Sequence, residues 1–137
     1  MRIEPYLMFG GRSEEAIKFY KEALGAEVAM LMYFRDCPEP ECIPPGAGDK
    51  VMHATLNIAG YTLMLSDGDC SGESSFSGIS LSISTQTLEA AEAVFGALSE
   101  NGEVQMPLAK TFWSEGFGML KDRFGVSWMV NVTEPQG

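Results

Sequence analysis

Residues 79–98 read Ile79-Ser80-Leu81-Ser82-Ile83-Ser84-Thr85-Gln86-Thr87-Leu88-Glu89-Ala90-Ala91-Glu92-Ala93-Val94-Phe95-Gly96-Ala97-Leu98, and the hydrophobic period changes in the middle of them. Ile79, Leu81 and Ile83 alternate with serine, as in a half-buried strand, whereas Leu88, Ala91, Val94, Phe95 and Leu98 recur at helical spacing. Thr87 is the residue type that caps such a helix, and Asn101-Gly102 ends it. Beyond it, Glu103–Met106 reads as a short strand stopped by Pro107, and 115–121 and 126–132 flank the turn Asp122-Arg123-Phe124-Gly125 as a hairpin. The beginning of the chain has the same order. A strand over Ile3–Phe9 closes at Gly10-Gly11, and Ser13 stands as N-cap to a helix striped with Ala16, Ile17, Tyr20, Ala23 and Leu24. Glu14 and Glu15 suit its N-terminal dipole, and Gly25 suits its end. Three strands follow, at 26–35, at Met52–Ile58 with clean alternation, and at Tyr61–Ser66 after Ala59-Gly60.

Each half is therefore strand, helix, three strands. The segment Ala23-Leu24-Gly25-Ala26-Glu27-Val28-Ala29-Met30 has an echo in Ala97-Leu98 and Gly102-Glu103-Val104-Gln105-Met106. The expected fold is α+β, two βαβββ modules at about 1–67 and 78–137 in a single domain, joined by the Gly-, Ser- and Asp-rich stretch 67–77. Residues 36–49, with Cys37-Pro38-Glu39-Pro40-Glu41-Cys42 and Pro44-Pro45-Gly46, read as a surface loop. The chain has 137 residues, 45% hydrophobic and 20% charged, enough to hold a core without staples. Nine Lys and Arg against 19 Asp and Glu leave a net charge of −10, which repels nucleic acid and anionic lipid. Three cysteines in no framework spacing, and no apolar run of signal-peptide length at the start, indicate a reducing cytoplasm.

A duplicated βαβββ module in a chain this short resembles the vicinal oxygen chelate superfamily of glyoxalase I, fosfomycin and bleomycin resistance proteins and extradiol dioxygenases. The likeness to its PhnB-like branch is carried by Pro5-Tyr6-Leu7-Met8-Phe9, Phe19-Tyr20, Leu24-Gly25-Ala26, Met52-His53-Ala54, Leu65-Ser66-Asp67, Thr111-Phe112-Trp113, Gly116-Phe117-Gly118 and Asp122-Arg123-Phe124-Gly125 with Trp128 and Asn131. The branch is often labelled a demethylubiquinone methyltransferase, but no G-x-G-x-x-G cofactor turn occurs here, so methyl transfer is not expected. The resemblance implies a cupped mixed sheet around a cleft, a homodimer, and metal ligands at four strand positions. Those positions fall on Pro5, on one of Leu63, Met64 or Leu65, on Gly78 or Ile79, and on Met129. None supplies the His or carboxylate donors that a divalent ion needs, so the usual metal set and the glyoxalase I reaction are expected to be missing.

His53 is the one histidine, placed by parity on the polar side of its strand with Thr55 and Asn57, and it is the candidate general base or a possible metal ligand. A half-exposed strand histidine with an ordinary hydrogen bond is the equal alternative. Glu115 is a second candidate catalytic group, though a solvated strand-end acid explains it as well. Trp113 and Phe112 are expected at a cleft mouth, and Phe9, Met64, Met129 and Asn131 along its wall. Parity places Pro5, Leu7 and Phe9 on the same open face, along with Ser80, Ser82 and Ser84, and turns Trp128 toward the helix. Cys37 and Cys42, with a third donor such as His53, form a weak metal pattern. Two functions remain open: a protein that binds a small, partly apolar molecule, and a lyase, isomerase or dioxygenase acting on an oxygen-rich metabolite, using His53 with a bound divalent metal as cofactor or His53 as a metal-free base.

Overall fold

The computed structural model describes residues 1–39, 41, 43–68 and 70–133. The chain divides into two compact units, Met1–Ser74 and the part from Ser75 onward. Unit 1 runs β1 (Tyr6–Met8), α1 (Ser13–Leu24), β2 (Glu27–Tyr33), a 3₁₀ turn (Phe34–Asp36), β3 (Val51–Ile58) and β4 (Tyr61–Ser66). Unit 2 runs β5 (Ser80–Thr85), α2 (Leu88–Ser99), β6 (Glu103–Ala109), β7 (Phe117–Lys121) and β8 (Ser127–Val132). The sheets have the orders β1-β4-β3-β2 and β5-β8-β7-β6. In each, the first strand pairs in parallel with the last and the other pairs are antiparallel. Two four-stranded mixed sheets with one helix each make the expected α+β architecture. No described helix is long and apolar enough to cross a membrane.

Each sheet buries one face under its helix. In unit 1 that face holds Leu7, Phe9, Ala54, Leu56, Leu63 and Leu65, with Ala16, Ile17 and Tyr20 from α1. In unit 2 it holds Leu120, Trp128, Val130 and Val132, with Ala91, Phe95 and Leu98 from α2. The approach of α2 is close: a Cβ on Gly118 would lie 2.6 Å from Phe95 Cε2 and 2.9 Å from Leu108 Cα, so only glycine fits there.

Local readings differ from the structure at three places. Pro107 does not stop its strand, because β6 is an edge and its pairing with β7 is irregular between Met106 and Ala109, where a missing N–H is tolerated. Strand β2 ends at Tyr33, where Asp36 accepts the Tyr33 N–H and the chain turns. The phenol of that same Tyr33 donates to Glu14 Oε1 at 2.7 Å, and the carboxylate raises its pKa above the usual 10.0. Ser13 is also not the N-cap. Arg12 holds that position without a side-chain cap, and the acceptor comes from Asp67, at the far end of β4.

Asp67 is 1% exposed and ties three segments together. Its Oδ1 accepts from Gly11 N at 2.9 Å and Ser13 N at 2.8 Å, and its Oδ2 accepts from Val51 N at 2.9 Å. Unit 2 holds its β7–β8 turn in the same manner: buried Asp122 accepts from Phe124 N, Val126 N and Trp128 Nε1. Asp67→Ala should cost at least about 3 kcal/mol in denaturant unfolding, because buried donors lose an ionised acceptor. Asp67→Asn should cost less, and a loss below about 1 kcal/mol for the alanine variant would refute this role.

Candidate functional site

The helix-free face of each sheet carries the candidate residues. In unit 1 one row crosses all four strands, from Tyr6 through Met64 and Thr55 to Met30. Met32 pairs with His53 in the next row, and Met8 pairs with Ser66. Tyr6 reaches across β4 so that its Oη lies 2.9 Å from His53 Nδ1, the two rings 5.5 Å apart. On its other side, His53 Nε2 lies 3.0 Å from Thr55 Oγ1. Both imidazole nitrogens are therefore occupied by hydroxyls, each able to donate or accept.

The equivalent row of unit 2 runs Ser82, Met129, Met119, Met106. The next holds Ser84, Asn131 and Phe117. Asn131 Oδ1 is buried and has no hydrogen-bond partner among the described residues. The Trp113 ring packs at 5.5 Å from Phe117 and at 4.8 Å from Phe112, which is 97% exposed. A recess of about 360 Å³ opens there, lined by Gln86, Lys110, Phe112, Trp113, Glu115 and Thr133 among others. Its loop is firmly built. Thr111 Oγ1 accepts from Trp113 N and Ser114 N, and buried Ser114 Oγ sits 2.8 Å from Gly116 O and 2.7 Å from Val132 O.

The structure thus places His53 and Met64 together on unit 1, and Phe112, Trp113, Met129 and Asn131 on unit 2, with Glu115 exposed on the rim of the recess. Phe9 is a correction. It is 2% exposed and packs against Tyr20 beneath α1, because the strand parity of β1 is the reverse of the expected one. Leu7 follows it inward, and Tyr6 and Met8 take the open face. Tyr6 was not legible as a site residue from composition or spacing; the signal available was that parity, once the partner of β1 is known. Trp128 faces the helix side as expected, 4% exposed.

The donor set does not fit a divalent metal. Leu63 and Leu65 lie under α1, so Met64 is the open-face residue of β4, and Met129 is its counterpart on β8, both soft thioethers. Pro5 and Ile79 lie just outside the strands, and no group of three His, Cys, Asp or Glu among the described residues is arranged to hold an ion. Cys37 Sγ donates to Glu39 O, and Cys42 lies outside the described residues.

A family model described as 3-demethylubiquinone-9 3-methyltransferase matches residues 1–131. The chain is 38% identical to Protein YjdN of Escherichia coli K12 over 99% of its length and 98% of that protein. It is 41% identical to the crystallised protein PA1353 of Pseudomonas aeruginosa, with a TM-score of 0.87 and 98% of each chain covered. A PhnB protein from Bacillus cereus is 30% identical, with a TM-score of 0.81, 97% of this chain and 100% of that chain covered. The fosfomycin resistance protein FosX of Listeria monocytogenes, 10% identical with a TM-score of 0.65, covering 99% of this chain and 95% of its own, shares the fold.

The stiffness of the Trp113 loop can be measured without a ligand. Ser114→Ala removes a hydroxyl that donates its one hydrogen between Val132 O and Gly116 O and accepts from Gly116 N, and should cost about 1–3 kcal/mol while lowering the anisotropy of Trp113 emission. Unchanged anisotropy would mean that the Ser114 contacts do not hold the loop.

Proposed function

This chain belongs to the 3-demethylubiquinone-9 3-methyltransferase family, the PhnB-like branch of the vicinal oxygen chelate superfamily, and from that premise we propose that it is a binding protein for a small organic molecule. The observation that carries this reading is Asn131 Oδ1, a buried acceptor with no partner among the described residues, paired in register with Phe117, whose ring packs against Trp113. An unmet buried acceptor costs about 1–3 kcal/mol, and a ligand N–H or O–H removes that cost. Aromatic and thioether walls supply the apolar remainder. Methyl transfer, the activity in the family's description, has no support in the β1–α1 turn. The N–H groups of Gly11 and Ser13 are taken by Asp67, and a Cβ on Gly10, at φ 66, would meet Glu73 O at 2.7 Å.

A second reading, an enzyme using His53 on an oxygen-rich metabolite, draws on the Tyr6–His53–Thr55 contacts. Glu115, exposed on unit 2, has no hydrogen-bonded partner among the described residues. We further propose a homodimer in the cytoplasm, the dimer supported by exposed Val28, Met30 and Leu31 on edge strand β2 and the compartment by the three cysteines in no framework spacing. Sedimentation should give twice the 14.9 kDa chain mass at micromolar concentration; a single-chain mass would rule the dimer out.

Binding itself is tested by Trp113 emission during a screen of small amines, amides and alcohols. A binder should perturb the wild-type emission, lose that effect in Trp113→Phe, and weaken roughly tenfold in Asn131→Leu. A binder whose signal persists without Trp113 and whose affinity ignores Asn131 would place the site elsewhere.

A further inference from the structure

On unit 1, Tyr6, His53 and Thr55 form one continuous chain, phenol to imidazole to hydroxyl, with links of 2.9 and 3.0 Å. The chain lies on a face where water can satisfy the same groups, so it adds little to stability. What it offers is a path for protons. In the tautomer with the hydrogen on Nε2, Tyr6 donates to Nδ1 and the Nε2–H donates to Thr55. The outer lone pairs of Tyr6 Oη remain for a donor arriving from the open face, where Tyr6 is 41% exposed.

The surroundings of this oxygen are thioethers. Met64 stands beside Tyr6, Met30 beyond Thr55, Met32 opposite His53, and Met8 one turn of the pleat along β1. Thioether sulfur is polarisable and makes favourable contacts with aromatic rings. Charged groups along the same face include Arg2, bonded to Thr62 and paired with Glu4, and Glu27, opposite Asn57. The setting therefore favours a flat, apolar ring that carries one acidic hydroxyl.

We propose that Tyr6, His53 and Thr55 form a binding site for a flat weak acid whose proton sits on oxygen, a phenol or an enol, and that the ligand is held as its anion. This gives the small-molecule reading a ligand class and rests on that reading, with all its residues in unit 1. On binding, the ligand O–H bond breaks and its electron pair stays on the ligand oxygen. The proton passes to Tyr6 Oη, and the phenolic proton of Tyr6 passes to His53 Nδ1. The product is a ligand anion accepting from Tyr6 O–H, balanced by an imidazolium whose Nε2–H still donates to Thr55. No oxidant, metal or cofactor enters. A phenol or enol hydroxyl is acidic enough to give up its proton along this chain, and an aliphatic alcohol is not.

The test uses 4-nitrophenol, whose anion absorbs visible light, at a pH where the free probe is mostly protonated. Bound probe should show a raised anion fraction, and 4-nitroanisole, the same ring without the proton, should bind the wild-type protein about tenfold more weakly. Tyr6→Phe should weaken 4-nitrophenol about tenfold and abolish the spectral change, and His53→Gln should remove the change while retaining much of the binding. Trp113→Phe should alter none of this, so failure here and failure of the Trp113 and Asn131 reading are separate results. Equal affinity for the two probes, an unshifted spectrum of bound 4-nitrophenol, or binding of neither probe overturns the proposal.

Discussion

A four-stranded sheet covered by one helix has two faces with opposite fates, and most of this molecule follows from that constraint. Side chains alternate, so every strand assigns half of its residues to the helix and half to the other side. The helix side is uniformly apolar in both units, from Leu7, Leu56 and Leu65 in the first to Leu120, Val130 and Val132 in the second. The other side has no such requirement. It carries hydroxyls, an imidazole, an amide and a series of methionines, the residues able to meet a ligand. The helices must be held tightly for this division to be kept, which explains why a buried carboxylate, Asp67, is used at the start of α1, and why the seat of α2 is cut to a bare glycine at Gly118.

The two modules repeat the frame and not the chemistry. Tyr6, Met64, Thr55 and Met30 occupy the row that Ser82, Met129, Met119 and Met106 occupy in the other unit. The thioethers are common to both, whereas the tyrosine and the histidine belong to the first and the aromatic loop to the second. The same scaffold occurs twice, and the faces without a helix carry different side chains. The methionines suit such a difference, since an unbranched side chain accommodates new neighbours without disturbing the strand beneath it.

The frame was legible in sequence because it rests on periodicity. The alternation at Met52–Ile58 and the switch of period after Ser84 each depend on local patterns that the folded state preserves. The site was legible only in part. His53 and Asn131 stand on alternating strands and could be assigned to a face, but Tyr6 belongs to a three-residue strand that Phe9 directly follows, too short for its alternation to fix a direction. A one-residue slip there exchanged a core ring for a reactive one. Asp67 was unreadable for another reason: its partners Gly11, Ser13 and Val51 are distant in the chain, and nothing local separates a capping aspartate from one in a loop.

Pro107 has a consequence outside its own unit. An edge strand is a template onto which another chain can add, residue by residue, through unpaired backbone groups. Within β6 the proline lacks an amide hydrogen and the pairing rhythm breaks between Met106 and Ala109, so an added strand would lose its ladder midway. Val104 and Met106 are exposed on a strand whose backbone is a poor template for open-ended addition.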